Sequence, residues 1–272
     1  MYLHFFYIKM EFNDDYEHCI EEVLYFPRNV PTKEAENLYH NLLEGCICLD
    51  NCTKETCLCI EKSGTAYKFE DIANLETYKI EEKESEAPTY ECSSQCKCCE
   101  KLCGNKLVQY GPRLGLEVKL CINIKKGFGL FTRKKLYKGN FICEYAGEIL
   151  TNQDAIKRFQ IYKNSGKMNY IFCINEKFGT ETLRTFIDPT VYGNIGRYIN
   201  HSCCPNSKLV VIREDSTMPV LAVFSKGDIE IGSEITYDYG DDSSGNEEDD
   251  RKLCFCGEKA CRKYLPYDQS LK

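Results

Sequence analysis

The chain has 272 residues, with 35 Lys and Arg against 42 Asp and Glu and a formal charge of −7. That length makes one large domain or two small ones, and the charge excludes wholesale nucleic-acid coating and favours a basic partner. Its 19 cysteines, an odd and clustered set, fit a disulfide framework poorly and metal thiolates in a reducing compartment well.

The opening MYLHFFYIKM is apolar but lacks a basic leader and a small-residue cleavage site, so it reads as the start of a strand or helix. No stretch approaches the roughly 18 apolar residues that cross a bilayer, and no membrane partner is expected. Residues 1–43 read as a small acidic and aromatic lead-in packed on the body. Two cysteine clusters follow: Cys46, Cys48, Cys52, Cys57 and Cys59, then Cys92, Cys96, Cys98 and Cys103. Residues 60–91 between them are polar, Glu-rich and free of cysteine, which predicts a loop thrown out between two halves of one metal cluster. Nine thiolates match neither two nor three separate tetrahedral zinc ions. Three ions can share them if three sulfurs bridge, and the CxC spacings suit that sharing. Cys99 is then an extra, unmetallated thiol.

From Leu114 to Gly147 the pattern is β-rich: Leu116, Val118 and Leu120 alternate, Gly127-Phe128-Gly129 predicts a tight turn, and Phe141, Cys143 and Tyr145 alternate again. The run TNQDAIKRFQIYKNSG predicts a helix over 151–166, with Thr151 as N-cap and Gly166 as stop. Tyr170-Ile171-Phe172 starts a further strand. Two later stretches matter most: Gly193–Asn206 (GNIGRYINHSCCPN) and Ile235–Gly240 (ITYDYG). Singly, each reads as a polar turn or an amphipathic strand end. Together, Asn200, His201, Cys203, Tyr237 and Tyr239 are a poor recipe for a core and a good one for a lined pocket. The acidic tract Asp241–Asp250 predicts a solvated linker. The closing CFCGEKAC supplies Cys254, Cys256 and Cys261, one ligand short of a tetrahedral site.

The pair NHSCCPN and ITYDYG resembles the signature of SET-domain protein lysine methyltransferases. The two cysteine clusters resemble the pre-SET zinc cluster of that family's suppressor-of-variegation class. The resemblance implies a mainly β fold with short helices, in which several small sheets surround a knot-like active centre, an exception to the rule against threaded chains. It divides the chain into a lead-in (1–43), a pre-SET cluster of three zinc ions on nine cysteines (44–112), a SET catalytic domain (113–240), an acidic linker (241–253) and a post-SET segment (254–272). In such a protein Cys203 completes the post-SET zinc site with Cys254, Cys256 and Cys261. Gly127, Phe128 and Gly129 stand where the family has a Gly-Trp-Gly contact to S-adenosylmethionine. Tyr170, Asn200, His201, Arg197 and Phe255 are the other implied contacts to that cofactor. Tyr239 corresponds to the catalytic tyrosine and Tyr170 to a further wall, whereas FICEYAGEIL corresponds to a structural strand. Tyr237 holds the Phe-or-Tyr position that sets the product state, and a tyrosine there implies mono- or dimethylation.

The implied chemistry needs no carboxylate base. A free lysine has a pKa of about 10.4, and an apolar aromatic channel beside a cationic sulfonium lowers it towards neutrality. The in-line displacement then depends mostly on positioning. Thirteen thiolates on four zinc ions add five negative charges and take the formal charge from −7 to about −12, a field that attracts a Lys-rich tail. The resemblance implies a nuclear, chromosomal enzyme acting on the histone H3 tail or nucleosome, at an Ala-Arg-Lys-Ser lysine or the Gly-Gly-Val-Lys lysine nearer the core. Lys125, Lys126, Arg133, Lys134 and Lys135 form a basic stretch that reads as a solvated turn or, alternatively, a weak contact to nucleosomal DNA. A non-histone protein substrate and a catalytically silent chromatin adaptor stay open as alternatives.

Overall fold

In the computed structural model we describe residues 23–39, 41–49, 51–64, 67–83, 88–99, 102–178, 180–240, 252–266 and 271. The apolar N-terminus, Cys19 and the acidic tract Asp241–Asp250 lie outside the described residues. The strands are β1 (Leu24–Tyr25), β2 (Val30–Pro31), β3 (Tyr67–Lys68), β4 (Lys79–Ile80), β5 (Thr89–Tyr90), β6 (Leu116–Leu120), β7 (Phe128–Thr132) and β8 (Phe141–Glu144). They continue with β9 (Gly147–Leu150), β10 (Phe172–Phe178), β11 (Glu181–Gly193), β12 (Asn200–His201), β13 (Ser207–Arg213), β14 (Val220–Ser225) and β15 (Glu234–Tyr237). Among the described residues the α-helices are α1 (Leu58–Ser63) and α2 (Asn152–Asn164).

These strands form small sheets, as expected. One runs β1-β11-β9-β2 with β10 also on β11, a second β12-β15-β7-β6, a third β5-β13-β14-β8, and a fourth pairs β3 with β4. The described part of the lead-in is woven in rather than merely packed on: β1 lies parallel to β11 and β2 parallel to β9. The second and third sheets close over an apolar core that includes Leu130, Ile142, Ile195, Ile199, Val223 and Ile235.

Helix α2 begins where the sequence predicts, with Thr151 accepting the Asp154 amide at 3.2 Å and Gly166 beyond its end at φ 66°. Arg158, on this helix, pairs with Glu148 at 2.6 Å and Asp188 at 2.9 Å, fastening it to β9 and β11.

Four sequence expectations need correction. The insert over residues 60–91 is not a loop thrown out. Tyr67, Tyr78 and Ile80 are buried against Phe141 and Phe224, and the Phe69 ring stacks on Tyr78 at 4.6 Å. Glutamates dominate its composition, but a few alternating aromatics decide its packing. One of its acids, Glu91, is itself buried. It accepts the Tyr67 hydroxyl at 2.7 Å and the amides of Leu107 and Val108 at 2.9 and 2.8 Å, which offsets the cost of burying it.

Second, the turn between β6 and β7 lies over Ile124–Lys126 and Gly127, so Phe128 and Gly129 already belong to β7. Third, FICEYAGEIL is two strands in different sheets. After β8 pairs with β14, the chain passes through Tyr145 and Ala146 into β9, which pairs with β11. That crossing turns Tyr145 inward. The tyrosine at 170 also precedes its strand, since β10 starts at Phe172.

Candidate active site

The two motif stretches meet as neighbouring parallel strands, with Asn200 opposite Thr236 and His201 opposite Tyr237. This pairing sets every other feature of the site. Beyond it the Ser202 amide donates to the Tyr237 carbonyl at 3.1 Å, and the Tyr239 amide donates to His201 Nδ1 at 3.2 Å. His201 Nε2 faces Cys203 Sγ at 3.3 Å and the Arg262 guanidinium at 3.4 Å.

Asn200 turns its side chain inward. Its Nδ2 donates to the Phe128 carbonyl at 3.0 Å and to Glu234 Oε1 at 2.9 Å. The other Glu234 oxygen meets Lys126 Nζ at 2.5 Å. Cys121 completes this knot by donating to Glu234 at 3.4 Å, and burial, aided by that carboxylate, pushes its thiol up to about 11. Gly129 is required here, because a Cβ at that position would stand 2.7 Å from Cys121 Sγ.

An aromatic cage lies behind these strands. Tyr237 is buried, with ring centroids 4.8 Å from Tyr239, 6.2 Å from Tyr145 and 6.2 Å from Phe172. Two hydroxyls are committed to backbone carbonyls: Tyr239 donates to Ile199 at 3.0 Å and Tyr145 to Tyr170 at 2.6 Å. Burial pushes the phenols of Tyr145, Tyr237 and Tyr239 well above the ordinary tyrosine value, so all three are neutral hydrogen-bonding groups at neutral pH and none is a base.

Beside the cage runs a cleft of about 380 Å³, whose lining includes Asn200, His201, Tyr239, Met168, Phe255 and Cys256. That volume lies in the range of small-ligand sites. No carboxylate lines it among the described residues. Lys125 closes one side, with its ammonium 5.2 Å from the centre of the Phe255 ring.

The structure brings Asn200, His201, Tyr239 and Phe255 together at this cleft, while Gly127, Phe128, Gly129, Tyr170 and Arg197 are not among its lining residues. Phe128 sets its ring edge-on to Tyr198 at 6.3 Å, and its carbonyl serves Asn200. Arg197 is buried, donates through Nε to the Pro189 carbonyl at 2.9 Å, and lays its guanidinium 4.6 Å from the Tyr170 ring.

Four sulfurs, from Cys203, Cys254, Cys256 and Cys261, lie within 4.8 Å of one another, the set expected for the tail. Cys203 and Cys254 are 3.8 Å apart, matching the edge of a tetrahedron with metal–sulfur bonds of about 2.3 Å. The Arg262 and Lys263 amides point at Cys203 and Cys261 at 3.3 Å each, as thiolates require. Arg262 then reaches back: Nη2 donates to Asp238 Oδ1 at 2.5 Å and Nη1 to the Gly240 carbonyl at 3.2 Å. The tail cysteines are thereby tied to the segment carrying Tyr237 and Tyr239.

All nine N-terminal cysteines, Cys46, Cys48, Cys52, Cys57, Cys59, Cys92, Cys96, Cys98 and Cys103, fall into four overlapping groups of four. Cys46 and Cys92 each belong to three groups, the overlap that bridging sulfurs produce. Sulfur separations of 3.6 to 4.0 Å for Cys52–Cys92, Cys46–Cys52 and Cys46–Cys92 suit zinc. Cys99 belongs to none of these groups. These cysteines pack with Leu58, Ile60 and Tyr90, and none of the nine lines the cleft.

Sequence reasoning missed Tyr145, Phe172, Glu234 and Arg262. Tyr145 carried a signal, the family-like EYxGE pattern, but alternation with Phe141 and Cys143 made it look like ordinary strand. Arg262 follows the last cysteine directly, and nothing in the sequence says that it folds back to Asp238.

Comparison with known proteins agrees with this geometry. The family model described as Pre-SET motif matches residues 4–106, and that described as SET domain matches residues 127–240. The probable histone-lysine N-methyltransferase set-23 of Caenorhabditis elegans is 36% identical over 237 residues, covering 85% of this chain and 91% of the relative. The crystal structure of the methyltransferase domain of human SETMAR is 32% identical with a TM-score of 0.73, covering 90% of each chain. KRYPTONITE, solved in complex with mCHH DNA, an H3(1-15) peptide and SAH, is 25% identical with a TM-score of 0.71, over 90% of this chain and 48% of that one. The motifs, the fold and these relatives converge: the chain belongs to the SET-domain histone-lysine N-methyltransferases that carry a pre-SET motif.

Proposed function

We propose that the cleft lined by Asn200, His201, Tyr239 and Phe255 takes S-adenosylmethionine, and that a lysine of the histone H3 tail enters the cage of Tyr145, Phe172, Tyr237 and Tyr239. The observation that carries this reading is the position of Tyr239. It forms part of the cleft wall, and its ring lies 4.8 Å from Tyr237 in the cage, so one residue borders both reactants. The complex of KRYPTONITE with SAH and an H3 peptide supports both assignments by analogy.

When bound, the cofactor supplies an electrophilic methyl group on a cationic sulfonium. The protein's task is to deliver a neutral amine in line with it. The cage disfavours the ammonium by desolvation, and the neutral phenols and the carbonyls they touch leave the amine no carboxylate to pair with. Tyr239, fixed by its bond to Ile199, orients the amine lone pair. Tyr237 stands at the family's Phe-or-Tyr product-state position, and a tyrosine there, buried in the cage, supports mono- or dimethylation as the main outcome.

The sulfur geometry supports three zinc ions shared among the pre-SET cysteines and one on Cys203, Cys254, Cys256 and Cys261, and the division 44–112, 113–240 and 254–272 follows those sites. A histone substrate sets the site of action at chromatin in the nucleus. The target lysine is assigned to an Ala-Arg-Lys-Ser or the Gly-Gly-Val-Lys sequence of H3. Incubation with labelled S-adenosylmethionine and recombinant nucleosomes, free H3 or a cell lysate tests this. Label on an H3 lysine is expected, whereas label confined to a non-histone protein in the lysate overturns the substrate assignment.

A further inference from the structure

The basic stretch around Lys125 offers little free charge. Lys126 pairs with Glu234, Lys134 with Glu76 and Lys135 with Glu230. A different surface collects lysines in excess of acids. Where the β3–β4 hairpin meets the third sheet, a groove of about 480 Å³ is lined by five lysines, Lys68, Lys79, Lys138, Lys208 and Lys226, and by two acids, Glu81 and Glu82.

Two of the lysines are matched: Lys68 holds Glu81 and Lys138 holds Glu82, both at 2.7 Å. Lys79, Lys208 and Lys226 have no ion pair among the described residues, and Lys79 rests 5.5 Å from the Tyr137 ring. The floor is rigid, because the Gly139 carbonyl accepts the Ile80 amide at 2.8 Å while its own amide donates to Ser225 at 3.0 Å. With φ at 85° and Ile80 O only 3.1 Å from where a Cβ would stand, Gly139 allows that close approach. A net positive concavity on a chain of formal charge −7 is set against the field of the whole molecule.

We infer that this groove holds the phosphate backbone of duplex DNA beside the histone substrate. Lysine ammonium groups on flexible stems, with no arginine forks among them, fit phosphates without reading sequence. A histone-lysine methyltransferase meets its substrate on DNA, which supplies the polyanion. The groove also adjoins the catalytic segment along the chain. The Lys226 amide donates to the Asn206 carbonyl at 2.8 Å, and Asn206 Oδ1 accepts the Thr236 amide of β15 at 2.9 Å. DNA bound there is anchored on the framework that carries the tyrosine cage. The inference extends the nucleosomal reading of the substrate, but its test needs neither cofactor nor histone.

The test is binding of the zinc-loaded full chain to a labelled duplex of about 30 bp between 50 and 200 mM salt, followed by anisotropy. The triple variant Lys79→Gln, Lys208→Gln and Lys226→Gln should bind at least about tenfold more weakly, with a log–log salt slope smaller by about 2 to 3. A control triple at exposed lysines elsewhere, Lys33→Gln, Lys54→Gln and Lys177→Gln, should move neither as far. Unchanged zinc content shows that both triples are folded. Absence of salt-dependent binding by the unmodified protein overturns the inference, as does equal weakening by the two triples. Tighter binding of single-stranded RNA than of duplex DNA overturns the choice of ligand. Methylation of a free H3 peptide serves as a separate readout that the groove variants leave unchanged.

Discussion

At the scale of single residues, the site is built from side chains whose polar atoms are already committed. Tyr239 gives its hydroxyl to Ile199 and its amide to His201, so removing the hydroxyl removes an orienting group and little else. Tyr239→Phe should lower kcat for methyl transfer by roughly a hundredfold, leave the dissociation constant for S-adenosylmethionine near its original value, and cost about 1 kcal/mol of stability. Single-turnover kinetics and calorimetric titration check the two halves. Tyr237→Phe should raise the product state instead, read by mass spectrometry of a methylated H3 peptide. Abundant trimethyl product from the unmodified enzyme would overturn that assignment.

Another residue-scale consequence lies away from the chemistry. Glu144 is fully buried beside Arg28 at 3.5 Å and Glu214, and one of its oxygens is without a hydrogen-bond partner among the described residues. Burial pushes it up to about 8, against the pull of Arg28, and pushes Glu214 to about 7. A carboxyl raised in this way keeps its proton in the folded protein where the unfolded chain would lose it. Its contribution therefore shrinks as pH rises from the unfolded value near 4.5 towards 8. Between pH 6.5 and 8.5 the zinc-loaded protein should lose about 1 to 2 kcal/mol relative to Glu144→Gln, which has nothing to ionise. Urea titrations of both proteins across that window measure the difference.

At the scale of elements, the tail acts as a lid with a lever. Arg262 is placed by the Cys203 sulfur at its amide and grips Asp238 between the two tyrosines. Arg262→Ala should keep its zinc and its S-adenosylmethionine affinity within a few fold, yet lose on the order of tenfold in kcat, because the Tyr237–Tyr239 segment is no longer held. A parallel loss of zinc would make the residue merely structural. What was legible here follows from how each element is specified. Helix α2 announced itself through Thr151 and Gly166, since caps are local chemistry. The gathering of the four tail cysteines was legible through the resemblance, because cysteine spacing has few alternative uses. The β12–β15 pairing is only two residues long in each strand and has no period to read, so the motifs alone pointed to it. Tyr67, Phe69 and Tyr78 were hidden by the glutamates around them, and Tyr145 by a sheet crossing that no alternation reveals.

For the whole molecule, the two cysteine groups stand in different surroundings. Most of the nine N-terminal cysteines are buried together, whereas the tail group borders the cleft through Cys256. Cys203→Ser should therefore lower zinc by one ion per chain in elemental analysis, abolish measurable methyl transfer, and leave the N-terminal cluster loaded. Retention of full activity with that ion gone would separate the lid from catalysis.

The long-range pairings also dictate a schedule. Tyr25 finds its partner at Gly193 and Thr89 finds its partner at Ile212, so neither contact can form until most of the polypeptide has left the ribosome. The cysteines of the first half emerge early and can gather metal at once, whereas the catalytic sheets must wait, with their apolar edges uncovered, for the last third of translation. Nascent chains stalled before residue 193 should thus be metal-bearing but catalytically unborn, and in need of a chaperone's shelter.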